Sequence, residues 1–277
     1  MRDNTTAIAE IRQEPTLLMC PPDHYGIEYE INPWMDRRRS AKLRLVRKQW
    51  EQLRTMLEEQ VGVRVLTVDS VQGLPDMVFT ANAGLVQGNR AILSNFRYVQ
   101  RQGEAGHFRR WFERHGCKVE LLPTKYAFEG EGDALFVGND LFVGYRFRTD
   151  VHAHRLIGEM LGLRVISLHL TDGYFYHLDT CFCPLGPDVA AYYPPAFDAY
   201  AQQVLKAHIP RLFEVSEADT RRFAANAVVV EKNVVMNVGC DAFQRTLEAE
   251  GFCVYPVDLS QFLLAGGSAK CLVLRLG

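Results

Sequence analysis

Four copies of one local pattern, almost evenly spaced, constrain this 277-residue chain more than any other feature. Each copy opens on an aromatic residue, passes through two or three small or polar residues, and enters an apolar strand, a turn and a second strand. The copies are Phe79-Thr80-Ala81-Asn82-Ala83-Gly84-Leu85-Val86, Phe128-Glu129-Gly130-Glu131-Gly132-Asp133-Ala134-Leu135-Phe136-Val137, Tyr176-His177-Leu178-Asp179-Thr180-Cys181-Phe182-Cys183 and Phe223-Ala224-Ala225-Asn226-Ala227-Val228-Val229-Val230. Their leading aromatics stand 49, 48 and 47 residues apart. A period in this range marks a repeat architecture, because a unit this short cannot bury its own core and must be completed by its neighbours. The hairpins turn at Gln87-Gly88-Asn89, Gly138-Asn139-Asp140, Gly186-Pro187-Asp188 and Lys232-Asn233, where Gly, Asn and Pro supply the turn backbone.

Amphipathic stretches of helical length follow the hairpins, over 104–115, 151–161, 197–207 and 240–250, and a short strand follows each: Lys118 to Leu122, Arg164 to Leu168, Leu212 to Val215 and Cys253 to Val257. The unit is therefore strand–strand–helix–strand. One further step of 47 from Phe223 reaches Lys270, directly before Cys271 and the strand Leu272-Val273-Leu274-Arg275-Leu276. That strand has no hairpin partner after it. Thr16-Leu17-Leu18-Met19-Cys20 can supply one, followed by a helix over 41–59 and the strand Arg64 to Val68. The two ends then close a ring of five units, an α/β fold built as a five-bladed pseudo-symmetric propeller with no free sheet edge. The expected organisation is a flexible tail over 1–15 and one catalytic domain over 16–277.

A formal net charge of −2, with no basic run longer than Arg37-Arg38-Arg39, excludes nucleic acid and anionic membrane as main partners. No stretch reaches 18 uncharged apolar residues, so no membrane-spanning helix is expected. The first fifteen residues carry charges of both signs and no apolar core, so no secretory leader is expected either. Seven scattered cysteines, an odd number, read as reduced thiols in a cytoplasm. The expected partner is a small-molecule substrate, with homo-oligomerisation left open.

Chemistry falls at one register of the repeat. Just after the aromatic, successive units present Asn82, Glu129, His177 with Asp179, Asn226 and Cys271. In a propeller the first strands of all units line the axis, so equivalent positions meet at one end of it. A Cys, a His, a Glu and an Asp meeting there supply a nucleophile, an acid/base and carboxylate partners. Taken singly, each has an ordinary explanation. Cys271 reads as a small buried hydrophobe, His177 and Asp179 as neighbours on one strand face, and Glu129 as a solvated turn residue. Their occurrence together outweighs these explanations. Cys181-x-Cys183 lacks both zinc-site spacing and a second pair, so no metal and no cofactor are expected. His152-x-His154 is read as capping a surface helix.

The whole chain resembles the guanidino-modifying, or pentein, superfamily. The resemblance is carried by His177-Leu178-Asp179-Thr180, the Glu129 segment, Phe79-Thr80-Ala81-Asn82 and Gly266-Gly267-Ser268-Ala269-Lys270-Cys271. Leu18-Met19-Cys20-Pro21-Pro22-Asp23, Asn32-Pro33-Trp34-Met35, Arg101-Gln102-Gly103-Glu104 and Asp179-Thr180-Cys181-Phe182-Cys183-Pro184-Leu185 are similar to its arginine dihydrolase branch. The resemblance implies Cys271 as nucleophile, His177 as general acid/base, and Glu129 as the carboxylate orienting His177 or the guanidinium, with Glu131 the alternative. It implies that Asp179 binds guanidinium nitrogens, that Arg101 and Arg148 hold the substrate carboxylate, and that Asn32 contacts the amino-acid end or shapes the pocket. The implied reaction is hydrolysis of the guanidinium of free arginine through a covalent thiouronium. Asn82 departs from the deiminase pattern, which has Asp there. An amide both donates and accepts, and so suits a ureido intermediate held for a second hydrolysis. A dimethylarginine dimethylaminohydrolase or arginine deiminase is the alternative within the class, and a non-catalytic propeller serving as a binding module is the alternative outside it. The Pro-rich loop Leu17 to Asn32 is the expected lid.

Overall fold

The computed structural model describes residues 14–276, so the tail expected over 1–15 lies almost wholly outside the described residues. Among them, fifteen strands form five three-stranded sheets. The first four are β3 (Gly84–Gln87), β4 (Arg90–Leu93) and β5 (Lys118–Glu120); β6 (Ala134–Val137), β7 (Asp140–Tyr145) and β8 (Val165–His169); β9 (Phe182–Pro184), β10 (Val189–Tyr192) and β11 (Arg211–Glu214); and β12 (Val228–Val230), β13 (Asn233–Asn237) and β14 (Cys253–Val257). The fifth joins the ends of the chain: β15 (Leu274–Leu276), β1 (Thr16–Met19) and β2 (Arg64–Thr67). In every sheet the first two strands are antiparallel and the third is parallel to the second. The parallel step needs a crossover, and one helix supplies it in each unit: α1 (Leu43–Thr55), α2 (Glu104–Arg114), α3 (Val151–Leu161), α4 (Ala199–His208) and α5 (Asp241–Ala249).

Local chemistry sets these boundaries. Asp150 caps α3 by accepting from His152 N, and Gly162 ends it at φ 67°, where a side chain is strained. Asp198 caps α4 by accepting from Ala201 N. Among the third strands β8 alternates, with Ile166 and Leu168 buried while Val165, Ser167 and His169 are partly exposed, whereas β5 and β11 have no fully buried residue. The middle strands are buried almost throughout, as in Leu141 to Gly144 of β7.

The apolar clusters show how the sheets succeed one another. Leu85 and Ile92 of the β3–β5 sheet pack with Leu141, Val143 and Ile157 of the next unit. Leu135 and Ile166 pack with Tyr192 and Leu205, and Val189 and Ala191 with Val234 and Leu247. Val228 and Val257 pack with Leu17, Val65 and Trp50, and Leu18 and Leu274 with Val86, Leu93 and Phe108. Each sheet is thus packed on the next, and the last on the first. Burying the Thr80 hydroxyl ties this closure, since it lies 2.8 Å from the Leu18 carbonyl and 2.9 Å from the Leu272 carbonyl.

Several expectations shift. The helix expected over 41–59 ends at Thr55 and widens into π turns over Met56–Val61 before Gly62. Leu272 and Val273 do not begin the last strand; they complete a turn with Ser268 and Lys270. Leu17 to Met19 belong to β1, so the covering loop starts after the strand. His154 is not a surface cap: it is buried, with Nδ1 2.7 Å from Ser167 Oγ, whereas His152 is the exposed partner of Asp150. No helix among the described residues is long and apolar enough to cross a membrane.

Thr80→Val keeps the shape and removes the bond between the first and last units. Loss of a buried hydrogen bond that leaves carbonyls short of a partner costs about 1–3 kcal/mol. Urea denaturation should show that loss, and an unchanged midpoint would contradict the role given to Thr80.

Candidate active site

The turns that lead into the first strand of each unit hold one another in a closed belt. Asn82 Nδ2 lies 3.4 Å from the Glu129 carbonyl, and Glu129 Oε2 lies 2.8 Å from His177 Nε2. Asn226 Nδ2 donates to the Asp179 carbonyl at 3.0 Å and to Cys271 Sγ at 3.1 Å. The Ala81 N–H then donates to the Cys271 carbonyl at 3.2 Å, which closes the circuit. Close packing requires Gly132 here, because a Cβ would stand 2.2 Å from Asn82 Nδ2 and 3.3 Å from the His177 ring. The belt therefore brings together Cys271, His177, Glu129, Asp179 and Asn82, none more than 3% exposed.

Glu129 is the electrostatic centre of one half. Its Oε2 accepts from Arg148 Nη1 at 2.9 Å as well as meeting His177, and its Oε1 accepts from the Arg97 N–H at 3.2 Å. Burial alone would raise its pKa, but the Arg148 charge and the His177 hydrogen bond outweigh it and hold the carboxyl well below the usual range. An ionised Glu129 accepts from Nε2–H of His177, which leaves Nδ1 as the ring atom free to exchange a proton. Glu131 is separated from this centre, since its carboxylate accepts from Lys270 Nζ at 2.7 Å and from the Arg275 N–H. Of the two glutamates, only Glu129 meets His177.

The other half is built around sulfur. Cys271 Sγ lies 3.3 Å from Asp179 Oδ2. Asn226 Oδ1 accepts from the N–H groups of Ser268 and Cys271, both at 3.1 Å, which fixes the amide with its NH2 toward sulfur. Burial first, and then the Asp179 charge, push the Cys271 thiol well above its ordinary value. Burial likewise pushes Asp179 up to about 7, opposed by Lys270 and by the thiol hydrogen bond. Asp179 Oδ1 is buried and accepts no hydrogen bond among the described residues. A neutral thiol beside a carboxylate with a spare acceptor is a site prepared for a cation rich in N–H donors.

Neither expected carboxylate-holding arginine is unpaired. Arg101 spans Glu104 with Nε and Nη2, both at 2.8 Å, and donates to Asn82 Oδ1 at 2.7 Å, with Asp76 Oδ2 at 3.9 Å. The Arg148 guanidinium lies over the rings of Tyr98 and Tyr176, 4.8 and 4.5 Å from their centres, and donates to the Ile31 carbonyl at 3.1 Å. Asn32 is occupied within its loop: Oδ1 accepts from Trp34 N and Nδ2 donates to the Ala265 carbonyl. The loop around Ile31 to Trp34 is therefore bonded both to Arg148 and to the Gly266 turn that precedes Cys271. Asn226 stood in the repeat register with no role assigned, because only geometry shows an amide making three hydrogen bonds to the cysteine turn and a fourth to the Asp179 carbonyl. Asp76 and Glu104, which neutralise Arg101, carried no signal in the repeat.

Fold and site together define a member of the guanidine-modifying pentein superfamily. The chain belongs within it to the family described as N,N dimethylarginine dimethylhydrolase, eukaryotic, whose model matches residues 28–276. A bifunctional arginine dihydrolase/ornithine cyclodeaminase, ArgZ of Synechocystis, is 47% identical over 266 residues, covering 94% of this chain but 37% of that protein. An N(G),N(G)-dimethylarginine dimethylaminohydrolase of Mycobacterium tuberculosis is 41% identical over 259 residues, covering 93% of this chain and 84% of that one. Crystal structures of the N-terminal domain of ArgZ superpose with a TM-score of 0.92 at 44% identity, covering 95% of this chain and 98% of the domain. One is a cysteine-to-serine variant bound to substrate, and another is an asparagine-to-serine variant covalently bonded to a reaction intermediate.

Two expectations test the sulfur half. Asn226→Leu leaves the buried N–H groups of Ser268 and Cys271 unpaired and should cost about 1–3 kcal/mol in chemical denaturation; wild-type stability would contradict the clamp. Asp179 has a folded pKa raised above its unfolded value near 4, so its contribution to stability is fullest below about pH 4 and is lost as the pH rises through about 7. Calorimetry should therefore find Asp179→Asn melting above the wild type at pH 8, with the advantage gone at pH 4. An advantage independent of pH would sink the assignment of that burial cost to Asp179.

Proposed function

We propose that this chain hydrolyses the guanidinium group of free L-arginine by nucleophilic catalysis at Cys271, carrying the reaction to ornithine, carbon dioxide and two ammonia. The observation that carries this reading is the joining, in one buried belt, of Cys271 with Asp179 and of His177 with Glu129, beside an amide at position 82. The similarity to ArgZ supports it, although this chain spans only 37% of such bifunctional relatives.

A guanidinium is a poor electrophile because its charge is spread over three nitrogens. Asp179 would receive its N–H groups, and the arriving cation would favour the thiolate that burial and Asp179 otherwise suppress. Cys271 gives its proton to His177 and its thiolate attacks the guanidinium carbon; an S–C bond forms, and a C–N bond breaks as ammonia leaves with that proton. His177 then takes a proton from water, which attacks the thiouronium carbon; the S–C bond breaks, the ureido product forms, and His177 returns the proton to the Cys271 sulfur. Asn82 would keep the ureido product bound, so that Cys271 attacks the same carbon again, the bond to the ornithine nitrogen breaks, and water hydrolyses the S-carbamoyl group to carbamate, which breaks down to carbon dioxide and ammonia. In this reading Arg101 and Arg148 hold the substrate carboxylate by exchanging part of their pairing with Glu104 and Glu129, and Asn32 shapes the amino-acid end. The loop after β1 serves as the lid. The five units are the blades of an α/β propeller forming one catalytic domain, and the seven unpaired cysteines support a cytoplasmic setting. The family model and the mycobacterial relative keep dimethylarginine, giving citrulline and dimethylamine, as the second reading.

Incubation with arginine, dimethylarginine and agmatine, with chromatographic separation of the products, distinguishes these. Ornithine should form from arginine alone, Cys271→Ser should abolish it, and Asn82→Asp should accumulate citrulline. Turnover of dimethylarginine in preference to arginine would favour the second reading. Turnover of none of the three would overturn both.

A further inference from the structure

One buried ion pair, outside the groups assigned to chemistry, joins the two segments that carry them. Lys270 Nζ donates to Glu131 Oε2 at 2.7 Å and to the Val273 carbonyl at 3.3 Å. The same Glu131 oxygen accepts from the Arg275 N–H at 3.2 Å. Both side chains are largely withdrawn from water, 15% and 8% exposed. The partners lie 139 residues apart, yet each adjoins a reacting group: Lys270 precedes Cys271, and Glu131 follows Glu129 by two residues. The Lys270 N–H also donates to the Asn226 carbonyl at 3.2 Å, so it belongs to the turn that Asn226 clamps. Lys270 and Glu131 line a cavity of about 600 Å³, together with Leu17, Leu135, Cys183 and Val273, whereas Cys271, His177, Glu129 and Asp179 do not. The pair thus marks the boundary between that cavity and the catalytic belt.

We infer that Lys270, held by Glu131, is a positioning residue whose ammonium supports the Asp179 carboxylate and whose bridge fixes the Cys271 turn against the segment bearing Glu129. This rests on the reading of Asp179 as the guanidinium-binding carboxylate. Cys271 Sγ lies 3.3 Å from the Asp179 carboxylate; Lys270 and Glu131 act on it through their charges, and its own charge acts on Tyr176, Cys181 and Cys183. Burial raises Asp179, Lys270 is the strongest charge opposing burial, and Glu131 acts in the opposite direction. The two ends of one bridge therefore act on Asp179 with opposite sign. A strut with a mechanical role alone would lose function in the same way whichever end were cut.

The test is the pH profile of kcat/KM for arginine in the wild type, Lys270→Met, Lys270→Arg and Glu131→Gln. An opposite charge nearby moves a carboxyl by about one unit or more, so Lys270→Met should carry the acid limb up by about one pH unit. That variant should lose about five-fold at pH 7, approach a ten-fold loss below pH 6, and recover toward wild type at pH 9. Glu131→Gln should move the limb downward, and Lys270→Arg should stay near wild type. Calorimetry on each variant identifies any that fails to fold. The rate at which 2-chloroacetamidine, a cationic alkylating amidine, modifies Cys271 gives the same comparison without turnover, read by peptide mass spectrometry across pH. If the wild type turns over no arginine, the proposed function fails while the alkylation profiles still decide this inference. Shifts in the same direction for Lys270→Met and Glu131→Gln, or no shift in either, would overturn it.

Discussion

The antiparallel pairing of β1 with β15 is the constraint on which the rest of this structure depends. It joins Thr16 with Leu276 and Leu18 with Leu274, and so makes one sheet out of the two ends of the chain. Without it β1 would present an open edge, the packing of Leu274 against Val86 and Phe108 would be lost, and the cyclic succession of sheets would stop at four. It also sets chemistry, because Cys271 lies three residues before β15 and takes its position from that strand. The belt of hydrogen bonds through Asn82, Glu129, His177, Asp179, Asn226 and Cys271 closes only because the sheets do.

Within that frame the two carboxylates are set to opposite tasks by their surroundings. Glu129 is as buried as Asp179, but Arg148 and His177 meet its charge, so it stays ionised and fixes the imidazole. Asp179 has the Cys271 thiol at 3.3 Å and the Lys270 charge for company, and these only partly offset its burial. Pairing one buried charge fully and leaving another short of donors is costly to the folded state. In the proposed reaction a cation arriving beside Asp179 would supply the missing donors and favour the thiolate, coupling substrate binding to formation of the nucleophile. Burial first, and the Asp179 charge second, keep the Cys271 thiol neutral.

Much of this was legible in the sequence, and the reasons are physical. A unit of under fifty residues must share its core, so even spacing of Phe79, Phe128, Tyr176 and Phe223 already required a repeat architecture. The strand after Cys271 lacked a hairpin partner, and Thr16 to Cys20 could supply one, as Thr16 to Met19 do. The helix over 151–161 was legible to the residue, because an Asp cap and a Gly stop bracket it. Less legible were features decided by contacts between units. His154 looked like a surface histidine until its helix face met Ser167 and Tyr145. Glu129 and Glu131 are nearly equivalent in sequence, and the Gly-rich turn between them sends one toward His177 and the other toward Lys270. The pairing of Arg101 with Glu104 follows from helix spacing, but the nearness of Asn82 and Asp76 does not.

The central claim is that Cys271 attacks the guanidinium carbon of arginine. Its most direct test is rapid acid quench of the enzyme during turnover, followed by mass spectrometry of the peptide that contains Cys271. The account predicts an adduct on that peptide with the mass of arginine less one ammonia, absent in Cys271→Ser. Steady turnover of arginine with Cys271 never modified, or with Cys271→Ser as active as the wild type, would contradict it.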